Sequence, residues 1–104
     1  MNPEIANHWN TAISHFNAAK ISLKEQGTAC DIPKKLSMAI VSAHSMISSL
    51  SLSGEARIAS GIALETFDKF QTLTTSQAFE ETLNALKTYR NLVPENYNLP
   101  IPTL

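Results

Sequence analysis

Apolar residues return three and four positions apart in four successive stretches of the chain, with polar residues filling the gaps. The first stretch runs Ile5, Trp9, Ala12, Phe16, Ala19, Leu23, and the second Leu36, Ala39, Ile40, Ala43, Met46, Ile47, Leu50. A third holds Ile58, Ile62, Ala63, Phe67, Phe70 and Leu73, and a fourth Phe79, Leu83, Leu86 and Tyr89 or Arg90. An α-helix turns about 100° per residue, so each set gathers into one stripe and predicts an amphipathic helix that buries it against a neighbour. Asn7, Asn10, Asn17 and Ala18 fall on the far side of the first helix, and Glu80, Glu81 and Lys87 on that of the fourth, as solvated faces.

The punctuation between the stripes sets the boundaries. Asn2 reads as an N-cap with Pro3 in the first helical position and Glu4 facing the positive end of the helix dipole, and Gly27 reads as the stop. Asp31 and Pro33 open a second helix over 32–51, whose first turn carries Lys34 and Lys35 at the unfavourable end of the dipole. A pairing with Asp31 or Glu25 would offset that cost; as a basic patch for an acidic partner the two lysines carry less weight than as a solvated helix end. Leu52-Ser53-Gly54 leaves room only for a tight reversal in which Gly54 supplies a positive φ, so the third helix, 55–72, should lie beside the second. Gly61 in mid-helix costs about 1 kcal/mol against alanine, which a close helix approach would explain.

Thr74-Thr75-Ser76-Gln77 contains a Thr-x-x-Gln capping box, with Ser76 as an alternative cap, for a fourth helix reaching Leu92. Beyond Val93, Pro94, Pro100 and Pro102 forbid regular helix, and the tail 93–104, with apolar Tyr97, Leu99, Ile101 and Leu104, is expected to run extended over the bundle or to fray. Four helices of similar length with short connections predict an all-α fold, an antiparallel up-down-up-down four-helix bundle.

Composition narrows the function classes. A chain of 104 residues is the size of one domain, 1–104, and 43% hydrophobic with 16% charged residues suits a compact fold rather than disorder. The net charge of -1 and the lack of a basic stripe remove the electrostatic footprint of nucleic-acid binding. Cys30 is the only cysteine, so there is no intrachain disulfide, and a cytoplasmic location is the default expectation. The start of the chain has no leader-like pattern, and no stretch approaches the roughly eighteen apolar residues of a membrane span.

Candidate chemistry concentrates in Ala43-His44-Ser45-Met46-Ile47-Ser48-Ser49-Leu50-Ser51-Leu52-Ser53-Gly54. His44 sits at the edge of the second stripe, and Ser37, Ser48 and Ser51 share its flank, so small side chains frame the imidazole and leave room for another molecule. A boundary histidine bonded to a serine or a carbonyl is the plainer reading of any lone imidazole. The spacing, however, resembles the phosphohistidine helix of histidine-containing phosphotransfer (HPt) domains. His44 is followed by apolar Met46 at +2, small Ser48 and Ser49 at +4 and +5, apolar Leu50 at +6 and Gly54 at +10. Two positions depart from the family pattern: its lysine at +3 is Ile47, and its usual glycine at +4 is Ser48.

The resemblance implies a four-helix bundle with His44 as phosphoacceptor and Ser37, Val41, Ile47, Ser48 and Ser51 around it as the docking face. It also implies a response-regulator receiver domain as partner, with a hybrid sensor kinase as a further one, and the Mg²⁺ on the receiver rather than a cofactor of this chain. With Ile47 in place of the lysine, three alternatives stay open. A lysine from elsewhere reaches the site, Ser48 and Ser51 hydroxyls donate instead, or the surface is kept for docking without carrying phosphate. A protein-interaction bundle on a receiver or another helical partner is therefore the alternative function, and a monomer suffices for either.

Other candidates are weaker. His8 and His15, seven positions apart with Glu4 and Thr11 on the same flank, lie about 10 Å from one another along a helix, too far to share one ion. Trp9 at the centre of its stripe reads as a core anchor, Glu65 and Asp68 as a solvated face, and Cys30 has no partner for catalysis. A small hydrolase or nuclease lacks any catalytic constellation.

Overall fold

In a computed structural model the described residues are 3–26, 32–50, 53–93 and 99–103. They form four helices, α1 (Pro3–Gln26), α2 (Ile32–Ser49), α3 (Ser53–Lys69) and α4 (Thr75–Asn91), and no strand. The all-α, four-helix architecture read from the stripes is the one observed. Asn2, Gly27 and Asp31, expected as caps and stop, lie outside the described residues, as do Cys30, Pro94 and Tyr97.

The core follows the stripes of α1, α2 and α4. Ile5, Trp9, Ala12, Phe16 and Ala19 of α1 are fully buried against Leu36, Ala39, Ile40, Ala43, Met46 and Ile47 of α2, the most extensive helix pairing in the molecule. Burying each large apolar side chain contributes about 1.5–3 kcal/mol, so this pair supplies much of the driving force. α4 closes the core with Phe79, Leu83, Leu86 and Tyr89, and the Phe79 ring meets Phe16 edge to face at 5.7 Å. Thr74 is the cap of α4: its hydroxyl accepts from the Gln77 N–H at 3.2 Å, and its own N–H donates to the Gln77 side-chain oxygen at 3.0 Å.

α3 departs from its prediction in several ways. Gly54 makes no reversal; it sits in the first turn of the helix with an ordinary helical φ. The helix stops at Lys69 rather than near Thr72, and Phe70 to Thr72 form a turn closed by the Thr72 N–H on the Lys69 carbonyl at 3.0 Å. Its buried side chains are Ala59, Ala63 and Thr66, whereas Ile58, expected inside, is 52% exposed. Gly61 lies on the exposed face with nothing within 4 Å of where a Cβ would stand, so it serves no close helix approach.

Two contacts tie α3 to α4. Lys69, near the end of α3, reaches Glu81 of α4 and its own Glu65, each at 3.5 Å, and the two carboxylates, Glu81's foremost, hold its ammonium above the usual lysine range. From the end of α4 the buried Tyr89 hydroxyl donates to the Ala59 carbonyl at 2.9 Å, and burial pushes this phenol well above its ordinary range.

Two further details differ from expectation. The ammonium of Lys35 donates to the buried Ser22 hydroxyl of α1, and Asp31, one of its expected partners, lies outside the described residues. Leu23 is 40% exposed because it points along an open groove with Ile21, Lys24 of α1 and Ser76, Phe79 of α4, where the two helices leave space between them.

The tail does cross the bundle over its described part. Leu99 and Pro102 are buried, and three carbonyls are taken by side chains: Leu99 by the Arg90 Nε–H at 2.6 Å, Pro100 by the Trp9 Nε1–H at 2.7 Å, and Thr103 by the Lys20 ammonium at 2.8 Å. Trp9 is thus the core anchor expected, with its one polar atom satisfied. Among the described residues no buried side-chain nitrogen or oxygen lacks a partner, and no helix is long and apolar enough to cross a membrane.

Candidate functional site

The buried stripe of α2 fixes the direction of everything else on that helix. With Ala43, Met46 and Ile47 fully buried, His44 is turned to the edge of the stripe and stands half-buried where α2 meets α3. Its Nε2 lies 3.0 Å from the Ser60 Oγ of α3, a hydrogen bond whose donor depends on the ring's tautomer. One side of the imidazole is therefore packed and one is open to a visitor.

The residues expected around it divide into three groups. Val41, 53% exposed, and Ser48, exposed, lie one turn before and one turn after His44 on its flank, and Ser37 is half-buried two turns before it. Ile47 is a correction: it is fully buried in the core and has no surface to offer a partner. The α2 stripe needs an apolar residue at that position, and a docking face can use only what the core leaves out. Ser51 lies outside the described residues.

The serines of α2 are not equivalent. Ser45 Oγ donates to the Val41 carbonyl at 3.1 Å and Ser49 Oγ to the Ser45 carbonyl at 3.0 Å, so both hydroxyls are spent on their own helix. Ser60, which sequence reasoning did not single out, is the hydroxyl that meets the imidazole. It stands on the neighbouring helix, sixteen positions from His44, where the period of α2 gives no signal for it.

The other candidates gain nothing from the fold. His8 and His15 are both half-buried on α1, and among the described residues no group of three His, Cys, Asp or Glu side chains could hold a metal ion. Glu65 is paired with Lys69, and Asp68 is exposed. The site comprises one accessible imidazole, a serine from the neighbouring helix, and an exposed apolar and hydroxyl-bearing rim. Such a group can act as a nucleophile or a hydrogen-bonding anchor. No protein-family model matches the chain, and neither the curated proteins nor the solved structures hold a match to it.

Proposed function

We propose that this chain is a phosphorelay carrier, an antiparallel up-down-up-down bundle of HPt type in which His44 accepts a phosphoryl group from the aspartate of a response-regulator receiver domain. The observation that carries the reading is the position of the imidazole at the half-open α2/α3 edge, on the one helix whose sequence resembles the phosphohistidine segment. A neutral imidazole holds a lone pair at pH 7 and needs only to be presented in line with the phosphorus. The lone pair of Nε2 attacks phosphorus, the bond to the aspartyl oxygen breaks, and its electrons return to the carboxylate. The receiver brings the Mg²⁺ and the cations that neutralise the group in flight.

The docking face in this reading is Val41, Ser48 and Ser37 of α2 with exposed Leu64 of α3, one turn beyond Ser60 and 71% exposed. Arg57, exposed one turn before Ser60 on α3, brings positive charge to this side where α2 has Ile47 instead of lysine. A cytoplasmic monomer working between a hybrid sensor kinase and a receiver fits the chemistry.

Incubation with a receiver domain charged by a small phosphodonor in Mg²⁺ tests the proposal. An acid-labile, alkali-stable phosphate on this chain is expected, and it should vanish in His44→Gln. Wild-type protein that takes up no such label would overturn the carrier reading. The second reading is a bundle that docks on the receiver without taking the phosphate, and it is favoured by the engagement of Nε2 with Ser60. It predicts receiver binding that is equal in wild type and His44→Gln, with no label on either.

A further inference from the structure

We propose that the Ser60 hydroxyl orients the His44 ring for transfer and then donates a hydrogen bond to the phosphoryl group once it is on Nε2. The inference deepens the carrier reading and rests on it.

The argument starts from the 3.0 Å contact between His44 Nε2 and Ser60 Oγ across the two helices. To attack phosphorus, Nε2 must carry the lone pair, which leaves the ring proton on Nδ1. In that tautomer Nε2 can only accept, so Ser60 O–H is the donor. The bond is thus available to the reactive tautomer, and it holds the ring plane at the α2/α3 edge. A free imidazole would have to be fixed anew at each encounter.

The same donor has a second position available. Ser60 is exposed, and a hydroxyl on a single rotatable bond can leave the lone pair as phosphorus approaches. Transfer forms the Nε2–P bond, breaks the P–O bond of the receiver aspartate and leaves the proton on Nδ1 with the positive charge on the ring. The three peripheral oxygens then carry the negative charge beside Ser60, and a hydrogen bond to a charged oxygen is stronger than one to a neutral acceptor.

Two hydroxyls of α2 lack this freedom, since Ser45 and Ser49 are bonded to carbonyls of their own helix. Ser48, exposed on the ring's own helix, is the competing candidate. The proposal thus assigns to α3 a role that the sequence alone left between a distant lysine and the hydroxyls of Ser48 and Ser51.

The test charges wild type, Ser60→Ala, Ser60→Thr and Ser48→Ala with phosphoramidate, which needs no receiver, and follows the phosphohistidine by ³¹P NMR as it hydrolyses. Ser60→Ala should shorten its lifetime roughly five- to tenfold, and Ser60→Thr should restore it, since threonine keeps the hydroxyl. Ring ¹⁵N shifts of the unphosphorylated protein should show the Nδ1–H tautomer in wild type and a mixture in Ser60→Ala. Equal lifetimes in Ser60→Ala and wild type, or a loss in Ser48→Ala instead, would overturn the role of Ser60 while His44 stays the acceptor. An unchanged tautomer would overturn the orienting step. No label on wild type from either phosphoramidate or a charged receiver overturns the carrier reading and this inference with it.

Discussion

α2 and α3 meet at the imidazole but are built on opposite plans. α2 buries Ile32, Leu36, Ala39, Ile40, Ala43, Met46 and Ile47 along one stripe, so its apolar residues and its inward residues are nearly the same set. Among the described residues α3 buries Ala59, Ala63 and Thr66, packs Ile62 and Phe67 partly against the core, and leaves Ile58 and Leu64 52% and 71% exposed. Small inward residues bury little area, so α3 is held by less apolar surface and by a few polar contacts such as the Tyr89–Ala59 bond. The nucleophile candidate thus rides on the rigidly specified helix and its hydroxyl partner on the lightly anchored one.

The largest effect expected from this contrast is on stability. Leu36→Ala, at a fully buried position of α2, should cost about 2–5 kcal/mol in urea unfolding followed by circular dichroism. Ile58→Ala should cost far less, about 0.5 kcal/mol, because about half of the side chain it removes is already in water. Similar losses at the two positions would erase the distinction.

Next comes the link between α3 and α4. Tyr89→Phe removes a buried hydrogen bond and should cost about 1 kcal/mol near neutral pH. Its effect depends on pH with a definite sign. In the unfolded chain the phenol ionises near its ordinary value of 10.0, whereas burial keeps it protonated above that in the folded one. The stabilising contribution is whole below that value and is lost as the solution becomes more alkaline, since the unfolded state then binds fewer protons. Urea midpoints measured through this range should fall less steeply in Tyr89→Phe than in wild type.

The smallest effect has the opposite sign. Gly61→Ala places a methyl group in open space on an exposed helical turn, so it should stabilise the protein by about 0.5–1 kcal/mol in the same urea assay. Destabilisation there would mean that α3 is less free of its neighbours than its geometry indicates.

The same contrast explains what the sequence could reveal. Hydropathy periodicity reports large side chains, and α1, α2 and α4 bury theirs: Trp9, Phe16, Leu36, Ile40, Leu86 and Tyr89 all lie where the stripes put them. Local chemistry was legible too, since the Thr74–Gln77 box needs only its four residues. Of the third stripe, the expected Ile62, Ala63, Phe67 and Phe70 do pack on the core, but the most buried positions of α3 are alanine and threonine, which carry little hydropathic signal. The reading therefore chose Ile58 over Ala59.

Leu23 failed for another reason. The first stripe points it the right way, but only the spacing of α1 and α4 shows that a groove lies opposite. At the candidate site helical geometry set Ser37 and Ser48 on the flank of His44, and the resemblance to the phosphohistidine helix added Val41. Ile47 was misassigned because it was counted both in the core stripe and on the docking face, and a single side chain cannot face both ways. Ser60 escaped because it belongs to a different helix, and pairing across helices needs the packing of the two rather than a period.

The chain has a single tryptophan, and its indole N–H is capped by the Pro100 carbonyl while the ring is sealed in the core. The molecule's intrinsic emission is therefore a gauge of whether the carboxy-terminal strap is seated. Because that gauge lies on α1 and the imidazole on the α2/α3 edge, light and phosphorus report on separate parts of the protein and can be read side by side in one sample.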